Sequence, residues 1–327
     1  MKKNIKIIKE KIRQRIVLKK DRTSRKYLYS SYWKGIVNKN SDSTVTENMF
    51  FSSVPNVGAG IGHQLANWIA GYWFAKQFKL KFAHIPFSNS TWEEFFGFYQ
   101  NEVLFSELVK KGYKVVRIPI FDEHNENEIE MIRNIISAYS GKKIVFLTEQ
   151  DQFYQEQYGV IQDIQKKFYS CKARKNESLI YNKDTFNLAV HVRRGDIVQT
   201  PGENNEELSK RFQSNDYFVS ALETALDTLK DKKNIHIYLF SQGKKEDYSE
   251  FLKFNNLHFC LDMGAKESFL HMVYADALIT SKSSFSYKPA LLNRGIKFVP
   301  KDFWHGYPQN SDWIQLEEDG TIKNNAF

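Results

Sequence analysis

Two adjacent arginines stand in the segment AVHVRRGDI at residues 189–197, directly after an apolar run that predicts a buried strand. Arg193 and Arg194 each carry a permanently charged, planar fork of donors that suits phosphate oxygens. Ligands of open α/β sheets bind outside the carboxyl ends of the strands, where this pair is expected to lie. Gly195 allows a tight turn, and Asp196 can orient an arginine. The alternative interpretation is a salt-bridge network at a domain edge.

A glycine-rich segment, NVGAGIGHQLANW at residues 56–68, leads directly into a predicted helix. A turn of this kind presents backbone N–H groups to an anion at the helix N-terminus. Gly60 and Gly62 belong to a G-x-G-x-G spacing, which differs from the G-x-G-x-x-G dinucleotide pattern. His63 and Gln64 are expected in the first helical turn, facing whatever binds there. A plain strand-to-helix turn with a structural histidine explains the same residues.

A serine-rich segment, ITSKSSFSYKPALLNRG at residues 279–295, connects another predicted strand to another predicted helix. Ser281, Ser283 and Ser284 lie at the start of that helix, where serines commonly cap the backbone. The same hydroxyls, with the helix amides and the helix dipole, can hold a phosphate. Pro289 predicts a kink or a late helix start. The segment is a third anion-type feature, with helix capping as the alternative.

Several common catalytic patterns are missing from the sequence. It contains no G-x-x-x-x-G-K-[ST], no G-x-S-x-G, no H-E-x-x-H and no D-x-D triplet. Its two cysteines, Cys171 and Cys260, lack metal-type spacing and favour a reducing compartment. No metal site is therefore expected, and arginines and backbone amides would have to neutralise a bound diphosphate.

Charge is distributed unevenly along the 327 residues, whose net charge is +9. Residues 1–35 hold 13 Lys or Arg against two acids and carry +11, which leaves −2 for the rest of the chain. A nucleic-acid-binding domain carries a basic face on its folded body. The distribution of charge therefore argues against a nucleic-acid partner.

The basic N-terminal segment has the pattern of an amphipathic helix. Ile5, Ile8, Ile12 and Ile16 recur at helical spacing, with lysines and arginines between them. The pattern favours peripheral contact with an anionic membrane surface, with a solvated or docked helix as the alternative. No apolar run reaches the length of a transmembrane helix, and no signal peptide is recognisable. The expected location is cytoplasmic, with peripheral contact at the inner membrane face.

Strand-like and helix-like stretches alternate along the rest of the chain. Such alternation predicts parallel sheets covered on both faces, and hence an α/β fold. Its two halves predict two doubly wound, Rossmann-type domains facing a cleft. We expect a basic arm and linker at 1–48, a first domain at 49–175 and a second domain at 176–327. Asn215 is the predicted cap of a helix, and IKFVP at 296–300 is the predicted last strand.

The three anion-type segments, in this order, resemble the fucosyltransferase superfamily that includes the α-1,2-, α-1,6- and protein O-fucosyltransferases. HVRRGD at 191–196 matches its H-x-R-R-G-D motif. GAGIGHQLANWIAGYWFA at 58–75 looks like its G-x-G-x-Q segment, and ALITSKSSFSYKPALLN at 277–293 looks like its serine-rich motif. The resemblance spans roughly residues 50–310, and the tail PKDFWHG is most similar to the α-1,2 branch, glycosyltransferase family 11.

This resemblance implies a GT-B-like fold, with an acceptor-side domain first and a nucleotide-sugar-binding domain second. It implies transfer of L-fucose from GDP-β-L-fucose to a glycan acceptor, α-1,2 to galactose in the most similar branch. It further implies inversion at the anomeric carbon, with no metal ion or other cofactor. Another nucleotide sugar as donor, and a non-catalytic glycan-binding protein of the same fold, stay open as alternatives.

The site residues that the resemblance implies fall into two groups. The catalytic group is Arg193, Arg194, His63 and Asp196. The donor-binding group is His191, Gly60, Gly62, Gln64, Ser281, Ser283, Ser284 and, for the guanine edge, Glu267. The sequence departs from the family at His63, which replaces an asparagine, and at Pro201, which stands where the α-1,6 branch has a glutamate. The general base therefore stays open between His63, Asp196 and the nearby Glu203.

Overall fold

The computed structural model describes two compact units. The described residues are 29–37, 45–56, 58–148, 154–195, 211–261 and 263–322. Among the described residues, unit 1 comprises those up to Glu93 together with those from Phe98 to Gln157. Unit 2 comprises Glu94–Gly97 together with the described residues from Tyr158 onward. The domain boundaries expected after residues 48 and 175 stay predictions.

Unit 1 is built on a parallel sheet. Its strands are β1 (Met49–Ser53), β2 (Lys81–His84), β3 (Val103–Leu104), β4 (Lys114–Arg117) and β5 (Ile144–Thr148), in the order β3-β2-β1-β5-β4. Its helices are α1 (Ser30–Val37), α2 (Ile61–Gln77), the first part of α3 (Ser90–Phe96), α4 (Phe105–Lys110) and α5 (Glu126–Ser137). Every residue of β1 and β5 is buried, so both faces of the sheet are covered there.

Helix α2 positions the glycine-rich turn of unit 1. It begins at Ile61, directly after that turn, and packs on β1, the strand before the turn. The packing is close because residue 71 lacks a side chain. A Cβ on Gly71 would lie 2.5 Å from the Cβ of Ser53 and 3.0 Å from its amide nitrogen. Gly71 therefore sets the distance between the strand and the helix that flank the turn.

Unit 2 holds a second parallel sheet. Its strands are β6 (Phe186–His191), β7 (Ile235–Phe240), β8 (Leu257–Cys260), β9 (Ala277–Ile279), β10 (Ile296–Pro300) and β11 (Trp313–Leu316). Its helices are α6 (Ile161–Ser170), α7 (Asn215–Thr228), α8 (Ala265–Tyr274) and α9 (Ser284–Leu292), with 3-10 segments at Lys172–Asn176 and Lys245–Lys253. A further 3-10 segment, Gln157–Val160, precedes α6.

The strands of unit 2 lie in the order β11-β10-β9-β6-β7-β8. The chain runs outward from β6 to β8, crosses over, and then runs outward on the other side from β9 to β11. This is the strand order of a dinucleotide-binding Rossmann sheet, whose ligands bind at the carboxyl ends of the strands where the order reverses. That switch point lies between β6 and β9. The arginine segment follows β6 and the serine segment follows β9, so the two segments flank the switch point.

Apolar packing holds β6 at the centre of unit 2. Leu188 and Val190 are fully buried in one cluster with Phe218 and Leu222 of α7. Burial of each such side chain contributes about 1.5–3 kcal/mol to folding. The strand that carries the arginine segment is therefore fixed by the core before any ligand binds.

The predicted α/β fold with two parallel sheets is confirmed, and the strand before each of the three anion-type segments is present. One element was missed. The sequence predicts β10 as the last strand, and this is wrong because β11 pairs with it in parallel. Within the described ranges no α-helix lies between β10 and β11, so the alternation that identified the other strands is missing there.

The predicted basic amphipathic helix, from Ile5 to Ile16, lies outside the described residues. None of the helices that the structure describes is long and apolar enough to cross a membrane.

Replacement of Gly71 by alanine should destabilise unit 1 by roughly 1–3 kcal/mol, because the added methyl group overpacks the contact between α2 and β1. Gly60→Ala is the matched control, since a Cβ there meets nothing within 4 Å and the φ of −59° suits any residue. Urea unfolding followed by circular dichroism measures both variants. Equal stability of the two would contradict the close contact.

Candidate functional site

A buried hydrogen bond joins the carboxyl ends of β6 and β9. The bond is formed between the Nδ1 of His191, the last residue of β6, and the Oγ of Ser281, and the two atoms lie 2.8 Å apart. Both side chains are buried, with 6% of His191 and 2% of Ser281 exposed. Because the bond crosses the switch point, it holds the arginine segment against the serine segment.

His191 is a neutral histidine in this setting. Its pKa is lowered to about 3, mainly by burial and then by the positive charges of Arg193 and Arg194. A protonated imidazole would be a buried cation beside two others. At neutral pH, His191 therefore forms hydrogen bonds but carries no charge.

Neutral oxygen atoms hold the guanidinium of Arg194. Its Nη1 donates to the carbonyl of Arg193 at 2.7 Å, and its Nη2 donates to the Oδ1 of Asn215 at 2.6 Å. The guanidinium also lies over the ring of Phe212, 4.8 Å from its centroid. Three contacts thus fix the plane and the direction of the side chain.

These partners orient Arg194 without neutralising it. Among the residues described, no carboxylate lies within salt-bridge distance of its guanidinium. Burial is the main influence and lowers the pKa of Arg194, while Tyr248 and Glu250 act in the opposite direction. An arginine keeps its charge throughout the physiological range, so a partly buried cation faces this edge of the sheet. That disfavours the salt-bridge interpretation for Arg194 and favours an anionic ligand.

Asn215 holds the arginine and does not cap its helix, so the prediction that it caps α7 is wrong. The cap is Ser214, whose Oγ accepts a hydrogen bond from the amide of Tyr217 at 3.2 Å. Asn215 is the first residue of α7, and its Nδ2 donates to the carbonyl of Asp247 at 2.8 Å while its Oδ1 accepts from Arg194. Nothing in the local sequence distinguishes these two uses of an asparagine at a helix start.

The turn after the arginines requires glycine. Gly195 has a φ of +75°, a left-handed conformation, and a Cβ on it would overlap the Oε1 of Gln242. The carbonyl of Val192 accepts a hydrogen bond from the Oγ of Ser241 at 2.6 Å. Ser241 and Gln242 follow β7, so the carboxyl end of that strand also supports the arginine segment.

The serine segment uses much of its hydrogen bonding internally. The Oγ of Ser286 lies 3.2 Å from both the amide nitrogen and the Oγ of Ser281. Ser283 caps α9, since its Oγ accepts from the amide of Phe285 at 3.2 Å, and its O–H can still donate. Ser284, the first residue of α9, is half-exposed. The capping interpretation therefore applies to Ser283, while Ser284 faces the surface at the helix N-terminus.

In unit 1, the glycine turn forms a tight loop before α2. Gly58 has a φ of +94°. Gly60 is the cap residue of α2, and its carbonyl accepts from the amides of His63 at 3.0 Å and Gln64 at 3.2 Å. Gly62 is buried in the first turn of the helix. The four predicted residues of this segment thus lie together at one helix N-terminus.

His63 and Gln64 have protein partners within unit 1. The Nε2 of His63 lies 3.4 Å from the Nδ2 of Asn56. Gln64 is buried, and its Nε2 donates to the carbonyl of Ala59 and to the Oγ of Ser88, both at 2.8 Å. Gln64 therefore ties the glycine turn to the loop after β2, a positioning role.

Glu267, predicted to contact the guanine edge, lies on a different helix from the arginine and serine segments. Glu267 is exposed in the first turn of α8, and its backbone carbonyl accepts from the Nδ1 of His271 at 2.7 Å. Asp196 lies outside the described residues. In the part of the chain that the structure describes, no group of three or more His, Cys, Asp or Glu could hold a metal ion.

Comparison with known proteins yields structural similarity only. No family model and no curated protein matches the chain. POFUT1 in its apo form superposes with a TM-score of 0.46 and 12% identity, over 77% of this chain and 96% of its own. A mutant of Arabidopsis thaliana FUT1 in complex with GDP gives 0.45 and 9%, over 82% and 74%. E. coli heptosyltransferase WaaC with ADP gives 0.43 and 10%, over 82% and 93%. At TM-scores below 0.5, none of these similarities assigns a function to this chain.

The neutral state of His191 makes the stability of unit 2 depend on pH. Its folded pKa of about 3 lies below the unfolded value of about 6.5, so the unfolded state binds the proton more readily between these values. The neutral imidazole therefore contributes its full share to the free energy of unfolding above about pH 6.5. This share is lost as the pH falls toward 3, and about 2 kcal/mol of it is gone at about pH 5. His191→Gln should remove this part of the pH dependence.

Urea midpoints of the wild type and the variant at neutral pH and at about pH 5 measure this effect. His124→Gln, an exposed histidine of unit 1, is the control and should keep the wild-type dependence. Parallel loss of stability in the wild type and in His191→Gln would contradict the assignment.

Proposed function

We propose that this chain is an inverting glycosyltransferase that transfers L-fucose from GDP-fucose to a glycan acceptor, α-1,2 to galactose. The observation that carries the proposal is the partly buried guanidinium of Arg194, oriented by two neutral oxygens at 2.7 and 2.6 Å beside the switch point of the sheet. Nucleotides bind at that point in sheets of this strand order. A diphosphate would supply the negative charge that complements Arg194.

In the proposed reaction, the bond between the anomeric carbon and the β-phosphate oxygen breaks while the acceptor oxygen attacks the opposite face. Negative charge grows on the departing diphosphate, and Arg193 and Arg194 stabilise that charge. Interactions that strengthen as charge develops favour the transition state over the ground state. Because Asn215 already holds Arg194 in place, little reorganisation accompanies the reaction.

The start of α9 supplies the second proposed contact with phosphate. Ser284 is half-exposed at the helix N-terminus, where backbone amides and the helix dipole favour an anion. The hydroxyl of Ser283 can donate to a phosphate oxygen while it accepts from the helix backbone. The hydrogen bond between His191 and Ser281 keeps this helix start beside the arginines.

Fucose as the transferred sugar and GDP as its carrier are proposed from the resemblance of the three sequence segments. Metal independence belongs to the same proposal, with two arginines acting on the diphosphate where other enzymes use a divalent cation. A panel of GDP-fucose, GDP-mannose and UDP-sugars tests the donor. Turnover of another nucleotide sugar alone would replace fucose, and absence of GDP-fucose binding by calorimetry at millimolar ligand would reject the proposal.

Three residues are candidates for the general base that would deprotonate the acceptor hydroxyl. Activation of an acceptor hydroxyl by a base typically accelerates transfer by about 10²–10⁴-fold. His63 is half-buried at the start of α2, with its Nε2 near Asn56. Asp196 and Glu203 lie outside the described residues.

Arg194→Ala should lower the rate of transfer by about 10²-fold or more, the typical effect of removing a donor that stabilises transition-state charge. Asn215→Ala should lower it by a smaller factor, because the charge stays but its orientation is lost. Initial rates of GDP release in the presence of acceptor measure both. Arg133→Ala, an exposed arginine of α5, is the matched control.

Folding of each variant is checked by its thermal transition. Near-normal turnover by a folded Arg194→Ala would reject the assigned role of the arginine. Tight glycan binding without GDP release by the wild type would identify a non-catalytic glycan-binding protein.

Gly60→Ala should lower the thermal transition only slightly, because a Cβ at this position meets no protein atom within 4 Å and the remaining cost is that alanine caps a helix less well than glycine. The same methyl group would stand where the helix backbone is proposed to approach the donor. We therefore expect transfer to fall by roughly 10-fold or more, as expected when the substrate is displaced by a fraction of an ångström. Wild-type kinetics in this variant would remove the glycine turn from the proposed donor site.

A further inference from the structure

A cavity of about 200 Å³ opens at the carboxyl edge of the unit 2 sheet, beside the ends of β9, β10 and β11. Its lining combines residues before and within α7 with the end of β10 and with residues that follow all three strands, among them Phe212, Lys282, Lys301, Glu317 and Glu318. Typical small-molecule pockets measure about 300–1,000 Å³. The cavity therefore suits one small ring and not a whole nucleotide sugar.

The cavity lining contains equal numbers of positive and negative side chains. Two lysines, Lys282 and Lys301, face two glutamates, Glu317 and Glu318. The Nζ of Lys301 lies 3.0 Å from the Oε2 of Glu317. A phosphate would meet both glutamates at close range, whereas an uncharged polyol can accept from the lysines and donate to the carboxylates. The lining therefore favours a neutral ligand rich in hydroxyl groups.

Phe212 lines the cavity with an exposed aromatic ring, and a second exposed ring, that of Trp304, follows the lining residue Lys301 by three positions in the chain. Phe212 is 48% exposed and Trp304 is 47% exposed, although large apolar side chains of this kind are usually buried. The guanidinium of Arg211 lies over the ring of Trp304, 5.4 Å from its centroid, so the residue next to Phe212 contacts Trp304. A pyranose has an apolar face of C–H groups that packs on such rings while its hydroxyls bond to polar neighbours.

The cavity adjoins the proposed diphosphate site. The amide of Lys282, between Ser281 and Ser283, donates to the Oε1 of Gln213 at 2.8 Å. Phe212 lies beneath the guanidinium of Arg194, 4.8 Å from its charged carbon to the ring centroid. A ring bound in the cavity would therefore lie beside the groups that are proposed to hold the donor.

We propose that this cavity, with Phe212 and Trp304 at its side, binds one neutral sugar ring of the glycan acceptor. The inference rests on the proposed function for the identity of its ligand. Glu318 and Lys282 bond to hydroxyl groups, and Trp304 covers the C–H face of the ring. Glu318 is the carboxylate to test, because Glu317 is occupied by Lys301.

Binding to an array of oligosaccharides ending in galactose, glucose, mannose, N-acetylglucosamine or fucose tests the proposal on the full chain. Trp304→Ala and Glu318→Gln should each weaken binding of the preferred glycan by roughly 10-fold or more, as expected for a lost apolar contact or a lost hydrogen bond to a charged group. Trp304→Phe should restore most of the affinity. Trp33→Ala removes a tryptophan of similar exposure, 49%, from unit 1 and should have no effect.

Calorimetry with GDP-fucose separates this inference from the proposed function. The inference predicts that Trp304→Ala binds GDP-fucose as the wild type does, while its KM for the acceptor rises. It is overturned if no glycan on the array binds, if glycan binding ignores both variants, or if the variants weaken GDP-fucose binding instead. Failure of the wild type to bind GDP-fucose, with glycan binding still sensitive to Trp304 and Glu318, would reject the donor proposal and keep the sugar site.

Discussion

The hydrogen bond between His191 and Ser281 is the constraint on which the site in unit 2 depends. It spans the two strands at which the sheet order reverses, and it is buried from both sides. Burial, and then the positive charges of Arg193 and Arg194, lower the pKa of His191, so its imidazole is uncharged at neutral pH. The imidazole therefore adds no third positive charge beside the two arginines, and its hydrogen bond holds the serine helix start next to them.

Uncharged groups also hold the guanidinium of Arg194 directly. Arg194 is oriented by a carbonyl and an amide oxygen, and Asn215 is held in turn by the carbonyl of Asp247 and by the carboxylate of Glu250. A carboxylate in either place would have satisfied the guanidinium and weakened its attraction for an anion. The neighbouring cavity has the opposite composition, with lysines and glutamates in equal number. The carboxyl edge of unit 2 thus divides into a cationic part and a balanced, polar part.

Much of the architecture can be predicted from the chain because local apolar periodicity and the parallel-sheet rule act together. The strand before the arginines and the helix after the glycines follow from runs of apolar residues. β11 was not predicted because it has only four residues and no helix before it, so the strand–helix alternation that identified the other strands is missing. Asn215 was misassigned because a cap and a first helical residue look alike in sequence, and its arginine partner lies 21 positions earlier.

The α/β class, the three anion-type segments and the absence of common metal and nucleophile motifs can all be predicted from residue order alone. Residue type and spacing suffice there, because donors, charges and helix starts are local properties. The folded chain is needed to show which strands are neighbours, and hence that the arginine and serine segments meet at the switch point. The same is true of the neutral oxygens that hold Arg194 and of the two loops that Gln64 connects. It is also true of Gly195, where a side chain would overlap Gln242. These contacts join residues that are distant in sequence. They depend on which side chains are buried, and burial is defined only in the folded chain.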